Sequence, residues 1–93
     1  MNQKQIAASL KEISRAVAAA TDERDLEIFL RSLLTPKEIE DVSSRWEIFK
    51  QLKDGVTQRQ ISKNLGVSLC KITRGSKEMK TKRDIISDML KKI

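Results

Sequence analysis

The chain is 93 residues long and carries 19 Lys and Arg against 13 Asp and Glu, a net charge of +6; this predicts one small domain that favours anionic partners. It has no histidine, and Cys70 is its one cysteine, so a His/Cys metal cluster and an internal disulfide are excluded, in keeping with a reducing cytoplasm. No Gly-rich phosphate loop and no nucleophile beside a base is found, which argues against an enzyme, and Lys4, Lys11, Glu12 and Arg15 break up the N-terminal stretch that a signal peptide or membrane span would need apolar.

In chain order, Ile6, Leu10, Ile13 and Val17 recur at four-three-four spacing and predict a first helix with a narrow apolar stripe. Thr21 starts a second helix, whose apolar face is Leu26, Phe29, Leu30, Leu33 and Leu34. Thr35-Pro36-Lys37-Glu38 then combines a Thr cap, a proline at the first helical position and a glutamate at the third, a strong start signal. Ile39, Val42, Trp46, Phe49 and Leu52 form the stripe of the long third helix, which Gly55 ends.

From Thr57 to Ser76 two short helices follow one another at the spacing of a helix-turn-helix. Thr57 caps the first, with Gln60 completing a capping box, and Ile61 and Leu65 share its inner face. Gly66 supplies the left-handed residue that ends it, Val67 covers the corner, and Ser68 caps the second helix. Leu69 and Ile72 are expected to point to the core. Ser62 meets the need for a small residue where the helices cross, and Gly75 stands where many such motifs have an aliphatic residue. A glycine inside a helix costs about 1 kcal/mol against alanine, so Gly75 suggests a close approach to the backbone. Thr81 is expected to cap a last helix carrying Ile85, Ile86, Met89, Leu90 and Ile93.

The fold class predicted is all-α: a single domain of six helices with the helix-turn-helix at about residues 57–80. Narrow stripes on the terminal helices are more easily buried against a second copy than within so short a chain, which predicts a homodimer. Charge is unevenly placed. Arg59, Lys63, Lys71, Arg74, Lys77, Lys80, Lys82 and Arg83 face a lone Glu78, whereas residues 22–41 are rich in acids. A basic run on a helix-turn-helix reads as a phosphate footprint on double-stranded DNA.

Leu34-Thr35-Pro36, Arg45, Thr57-Gln58-Arg59 and Ile72-Thr73-Arg74-Gly75-Ser76 resemble the Trp repressor family over about Leu33 to Lys80. The resemblance implies an intertwined homodimer that binds its operator when L-tryptophan is bound as corepressor, controlling tryptophan-related genes. Arg45 and Arg74 match the pair that sandwiches the indole ring, and Arg74 also matches the partner of the ligand carboxylate. Thr35 matches a pocket residue supplied by the partner chain, and the backbone carbonyls of Ser32 and Leu34 match acceptors for the ligand ammonium. Gly75 leaves room for the ligand. Glu78 stands where the family pattern has a serine facing the amino group; it either holds Arg74 or meets the ammonium, and the second role is favoured. On the DNA side, Gln58, Arg59 and Lys63 are expected at phosphates and Leu69, Cys70, Lys71 and Thr73 near base edges, with Ser62 and Lys77 completing the surface. Leu69, Cys70 and Lys71 depart from the family pattern, and the link from Gly55 to Thr57 is one residue shorter. Two other readings stand beside this one: a helix-turn-helix that binds DNA without a ligand, and an antitoxin-like dimer that binds an acidic protein.

Overall fold

Six α-helices and no strand make up the computed structural model, which describes all 93 residues: α1 (Gln3–Ala19), α2 (Glu23–Leu33), α3 (Pro36–Lys53), α4 (Gln58–Leu65), α5 (Leu69–Glu78) and α6 (Ile85–Leu90). The all-α expectation and the number of helices hold. The chain divides into two units, Met1–Ile39 and Glu40–Ile93, with the boundary in the first turn of α3.

In the first unit, α1 opens with a capping box between Asn2 and Gln5. Neither α1 nor α2 contains a buried residue. The second helix starts one residue later than expected, because Asp22 rather than Thr21 is its cap: the Asp22 carboxylate accepts the Arg24 N–H at 2.9 Å. A carboxylate at this end also complements the helix dipole, which a threonine hydroxyl does not. At the start of α3 the reciprocal box is complete. The Glu38 N–H donates to Thr35 Oγ1 at 3.2 Å, and the Thr35 N–H donates to the Glu38 carboxylate at 2.8 Å.

The core of the second unit is one isoleucine from each of three helices: Ile48 of α3, Ile61 of α4 and Ile72 of α5. Leu52, Val56, Leu65 and Val67 pack around them. Burying such a side chain contributes roughly 1.5–3 kcal/mol, so these residues hold α4 and α5 against α3. Here the expected stripe of α3 needs correction. Ile48, outside it, is the buried residue, while Val42 within it is 48% exposed. Apolar residues surround α3, so spacing alone does not single out the face that α4 and α5 cover.

Gly55 and Gly66 adopt the left-handed conformation, at φ 80° and 65°, and end α3 and α4. Thr57 Oγ1 accepts the Gln60 N–H, but the box is only half made: the Gln60 amide turns forward and donates to Asn64 Oδ1 at 2.7 Å. Asn64 in turn donates to Gln51 of α3, so this chain of amides ties α4 to its neighbour instead. Leu69 is a second correction. It is 48% exposed, because as the first residue of α5 it precedes the turn that contacts the core.

The last helix is shorter than predicted and is capped by Asp84, not Thr81. The Thr81 hydroxyl lies on the carbonyls of Glu78 and Arg83, whereas the Asp84 carboxylate accepts both the N–H and the hydroxyl of Ser87. These two bonds, the hydroxyl's first, hold the Asp84 carboxyl below its ordinary value. Lys53 of α3 donates to Ser87 Oγ at 3.3 Å, which fastens α6 to the end of α3. Ile93 falls outside the helix.

Candidate functional site

The helix-turn-helix is locked from inside. Gly66 turns the chain, and the Ser62 hydroxyl donates to the Val67 carbonyl at 2.7 Å across the corner. That bond gives Ser62 a definite task in the turn; expected also on the DNA side, it is half-buried. The Thr73 hydroxyl of α5 donates to Gln58 Oε1 of α4 at 3.1 Å, which links two residues predicted to touch DNA. Ser68 Oγ accepts the Lys71 N–H at 3.4 Å and starts α5. Arg59, Lys63, Leu69, Cys70, Lys71, Thr73 and Lys77 are all exposed, and Gln58 is half-buried. The predicted DNA-contacting set is therefore open to a partner apart from Gln58 and Ser62, whose polar groups also serve the turn.

On its other side α5 forms a cleft with α3 of about 360 Å³, lined by Asp41, Ser44, Arg45, Ile48, Phe49, Lys71, Arg74, Gly75 and Glu78. Gly75 allows the two helices to meet at its floor. A Cβ on Gly75 would lie 3.2 Å from Ile48 Cγ2, 3.5 Å from Phe49 Cε1 and 3.7 Å from Leu52 Cδ1. The glycine thus serves packing as well as any ligand space, a reason not visible from its position in the motif.

Arg45, Arg74, Gly75 and Glu78, predicted from sequence, come together in this one cleft. Ser32, Leu34 and Thr35 belong to the first unit and are not part of its lining. There the Ser32 hydroxyl donates to the Ile28 carbonyl and Thr35 caps α3. Asp41, Ser44 and Lys71 line the cleft without having been predicted there. Spacing carried the signal for two of them: Asp41 precedes Arg45 by four and Lys71 precedes Arg74 by three, so each shares a helix face with a predicted member, whereas Ser44 shares its face with Ile48, which the sequence had not singled out.

The lining combines an apolar floor, Ile48 and Phe49, with three cations and two carboxylates. No ion pair joins Glu78 to Arg45, Lys71 or Arg74. Ser44 Oγ is buried and has no hydrogen-bond partner. Such a wall can take a ligand with an aromatic or aliphatic body and both signs of charge at one end.

The family model of the Trp repressor protein matches residues 8–93. A Trp operon repressor homolog of Vibrio campbellii is 40% identical over 82 residues, covering 87% of this chain and 82% of the relative. One of Vibrio parahaemolyticus is 39% identical over 82 residues, covering 87% and 80%, and one of Vibrio atlanticus is 36% identical over 87 residues, covering 88% and 89%. No solved structure gives a significant match. With its helix-turn-helix in place and its match running almost from end to end, the chain belongs to the Trp repressor family.

Proposed function

We propose that the chain represses transcription as a homodimer whose two reading heads bind an operator when L-tryptophan occupies the cleft between α3 and α5. The observation that carries this reading is the convergence of Arg45, Arg74 and Gly75 on one cleft that shares α5 with the DNA-contacting surface. In this reading the indole lies between the guanidiniums of Arg45 and Arg74, which stack well on aromatic faces. The ligand carboxylate pairs with Arg74, whose planar fork matches it.

The switch follows from where the ligand sits. The helix pair α4–α5 is held to α3 by few buried side chains, so its position relative to α3 is set by a small free energy. A ligand wedged between α3 and α5 adds contacts to that junction and fixes the angle of the recognition helix. Linkage then requires DNA to tighten tryptophan binding by the factor by which tryptophan tightens DNA binding. Ser44 supports an occupant: buried polar atoms are ordinarily hydrogen-bonded, and its hydroxyl oxygen is unpaired in the wall.

For the DNA surface, Arg59, Lys63 and Lys77 supply phosphate contacts, with Gln58 and Ser62 alongside, and Leu69, Cys70 and Thr73 meet base edges. Lys71, exposed at the start of α5 yet part of the cleft wall, faces both partners. The homodimer is supported by exposed apolar residues on α1 and α2, among them Leu10, Ile28 and Leu33. In the dimer, Thr35 and the carbonyls of Ser32 and Leu34 would complete the partner's cleft.

The test is selection of sites from a random duplex pool, followed by mobility-shift titration with and without L-tryptophan. The expected result is a near-palindromic site bound more tightly with the amino acid present. Equal affinity under both conditions would favour a ligand-independent DNA binder, and the absence of any selected site would favour a protein-binding dimer.

A further inference from the structure

We propose that Asn64 is a positioning residue for DNA binding: its tie to Gln51 holds the helix-turn-helix on α3 before any ligand binds and so sets how much L-tryptophan can add. The inference rests on the corepressor reading above. Helices α4 and α5 meet α3 in different ways. At α4 the tie is polar and directional. Gln60 Nε2 donates to Asn64 Oδ1 at 2.7 Å, and Asn64 Nδ2 donates to Gln51 Oε1 at 2.9 Å. Both ends of the Asn64 amide are engaged, so turning it over would break both bonds. At α5 the contact is apolar: Ile72 joins Ile48 in the core, and Gly75 lets Ile48 and Phe49 approach the backbone.

Apolar contact is non-directional, whereas a hydrogen bond fixes both distance and angle. The α4 side is therefore the fixed edge of the reading head, and the α5 side, where the cleft opens, is the edge that a ligand adjusts. The Ser62–Val67 and Thr73–Gln58 bonds join α4 to α5, so a tie on α4 constrains both. Ligand-free affinity for DNA scales with the fraction of heads already in the binding position. One neutral hydrogen bond between Asn64 and Gln51 raises that fraction by up to about fivefold. With tryptophan in the cleft, the ligand's own contacts hold the head and the tie matters less. Loss of the tie thus lowers DNA affinity mainly without tryptophan and widens the ratio between the two conditions. Free protein must then also bind tryptophan more weakly, since fewer heads are in the position that accepts it.

Mobility-shift titrations of the full chain on its selected site, with and without saturating L-tryptophan, compare wild type with Gln51→Leu and Asn64→Ala. Gln51 is on α3, outside the DNA-contacting set, so its variant reports the tie without altering the reading surface. Each variant, and the two combined, should widen the ratio by about two- to fivefold through weaker ligand-free binding. Calorimetry should show tryptophan binding to free protein weakened by a similar factor. Gln51→Glu keeps an acceptor for the Asn64 amide and should keep the wild-type ratio; a ratio as wide as that of Gln51→Leu would show that the bond is not the cause. A role confined to stability would lower Tm and leave the ratio unchanged, which overturns the proposal. A narrower ratio overturns it too, since the tie would then hold the head out of position. Equal DNA binding by wild type with and without tryptophan overturns the corepressor reading and this inference together.

Discussion

Gly75→Ala weighs two effects of known sign at one position. Alanine is favoured over glycine inside a helix by about 1 kcal/mol, and Gly75 lies within α5. Against this, the new Cβ would sit 3.2 Å from Ile48 Cγ2, with Phe49 Cε1 at 3.5 Å and Leu52 Cδ1 at 3.7 Å. The first contact is a few tenths of an ångström too close. Ile48 is 2% exposed and packed with Ile61 and Ile72, so it has little freedom to turn away. Overpacking of this kind costs about 1–3 kcal/mol. The balance is a net loss of roughly 0–2 kcal/mol, and a loss of 1 kcal/mol lowers Tm by about 4–8 °C in a domain of this size. Tryptophan affinity should fall as well, because relief of the contact moves α5 away from α3 at the floor of the cleft. Thermal melts followed by circular dichroism, with calorimetry on the same samples, read both effects. A variant with raised Tm would show that α5 has slack against Ile48 and would refute the reasoning.

DNA binding should weaken steeply with salt, and Lys63→Ala should reduce the slope of log affinity against log salt by about 1 if this side chain meets a phosphate; fluorescence anisotropy across a salt series measures it, and an unchanged slope removes Lys63 from the footprint. Ser62→Ala deletes the hydroxyl that donates to the Val67 carbonyl and should cost about 1 kcal/mol in urea denaturation, whereas a neutral result would show that the turn does not depend on this bond. Acid should loosen α6: the Asp84 carboxyl lies below its ordinary value because it accepts from Ser87, so its contribution is present above the unfolded value and is lost as pH falls through about 4 and below. Amide exchange at Ser87 and Asp88 reports this, and protection that is independent of pH in that range would contradict it.

Local signals carried most of the fold. Thr35-Pro36-Lys37-Glu38, Gly55, Gly66 and Ser68 each act through their own neighbours, and each performs in the structure the role its sequence context implies. The misplaced features depend on competition between nearby groups. Asp22 and Asp84 displace Thr21 and Thr81 as caps because an ionised carboxylate accepts more strongly than a hydroxyl. Gln60 gives up the capping box because Asn64 offers its amide a partner that itself reaches Gln51. Ile48 was hidden because α3 carries apolar residues on several faces, and only contact with α4 and α5 decides which is internal.

The site divides in the same way. Arg45, Arg74, Gly75 and Glu78 were legible through the family motif, and the structure brings them into one cleft. Asp41 and Lys71 were legible only as neighbours of Arg45 and Arg74 on the same helix faces, and Ser44, whose neighbour Ile48 was itself hidden, was not legible at all. The contact between Gly75 and α3 could not be read at all from a single chain of letters, since it depends on which residues of α3 face α5.

Calorimetric titration of L-tryptophan into wild type, Arg45→Ala and Arg74→Ala tests the central claim most directly, with circular dichroism confirming that the helices remain. Both arginines are exposed at the mouth of the cleft, so their removal should spare the fold. Wild type should bind the amino acid at one site per chain. Arg45→Ala should lose one face of the ring sandwich, and Arg74→Ala should lose the other face and the carboxylate partner, making it the weaker of the two. Variants that bind tryptophan as wild type does would contradict the assignment of this cleft.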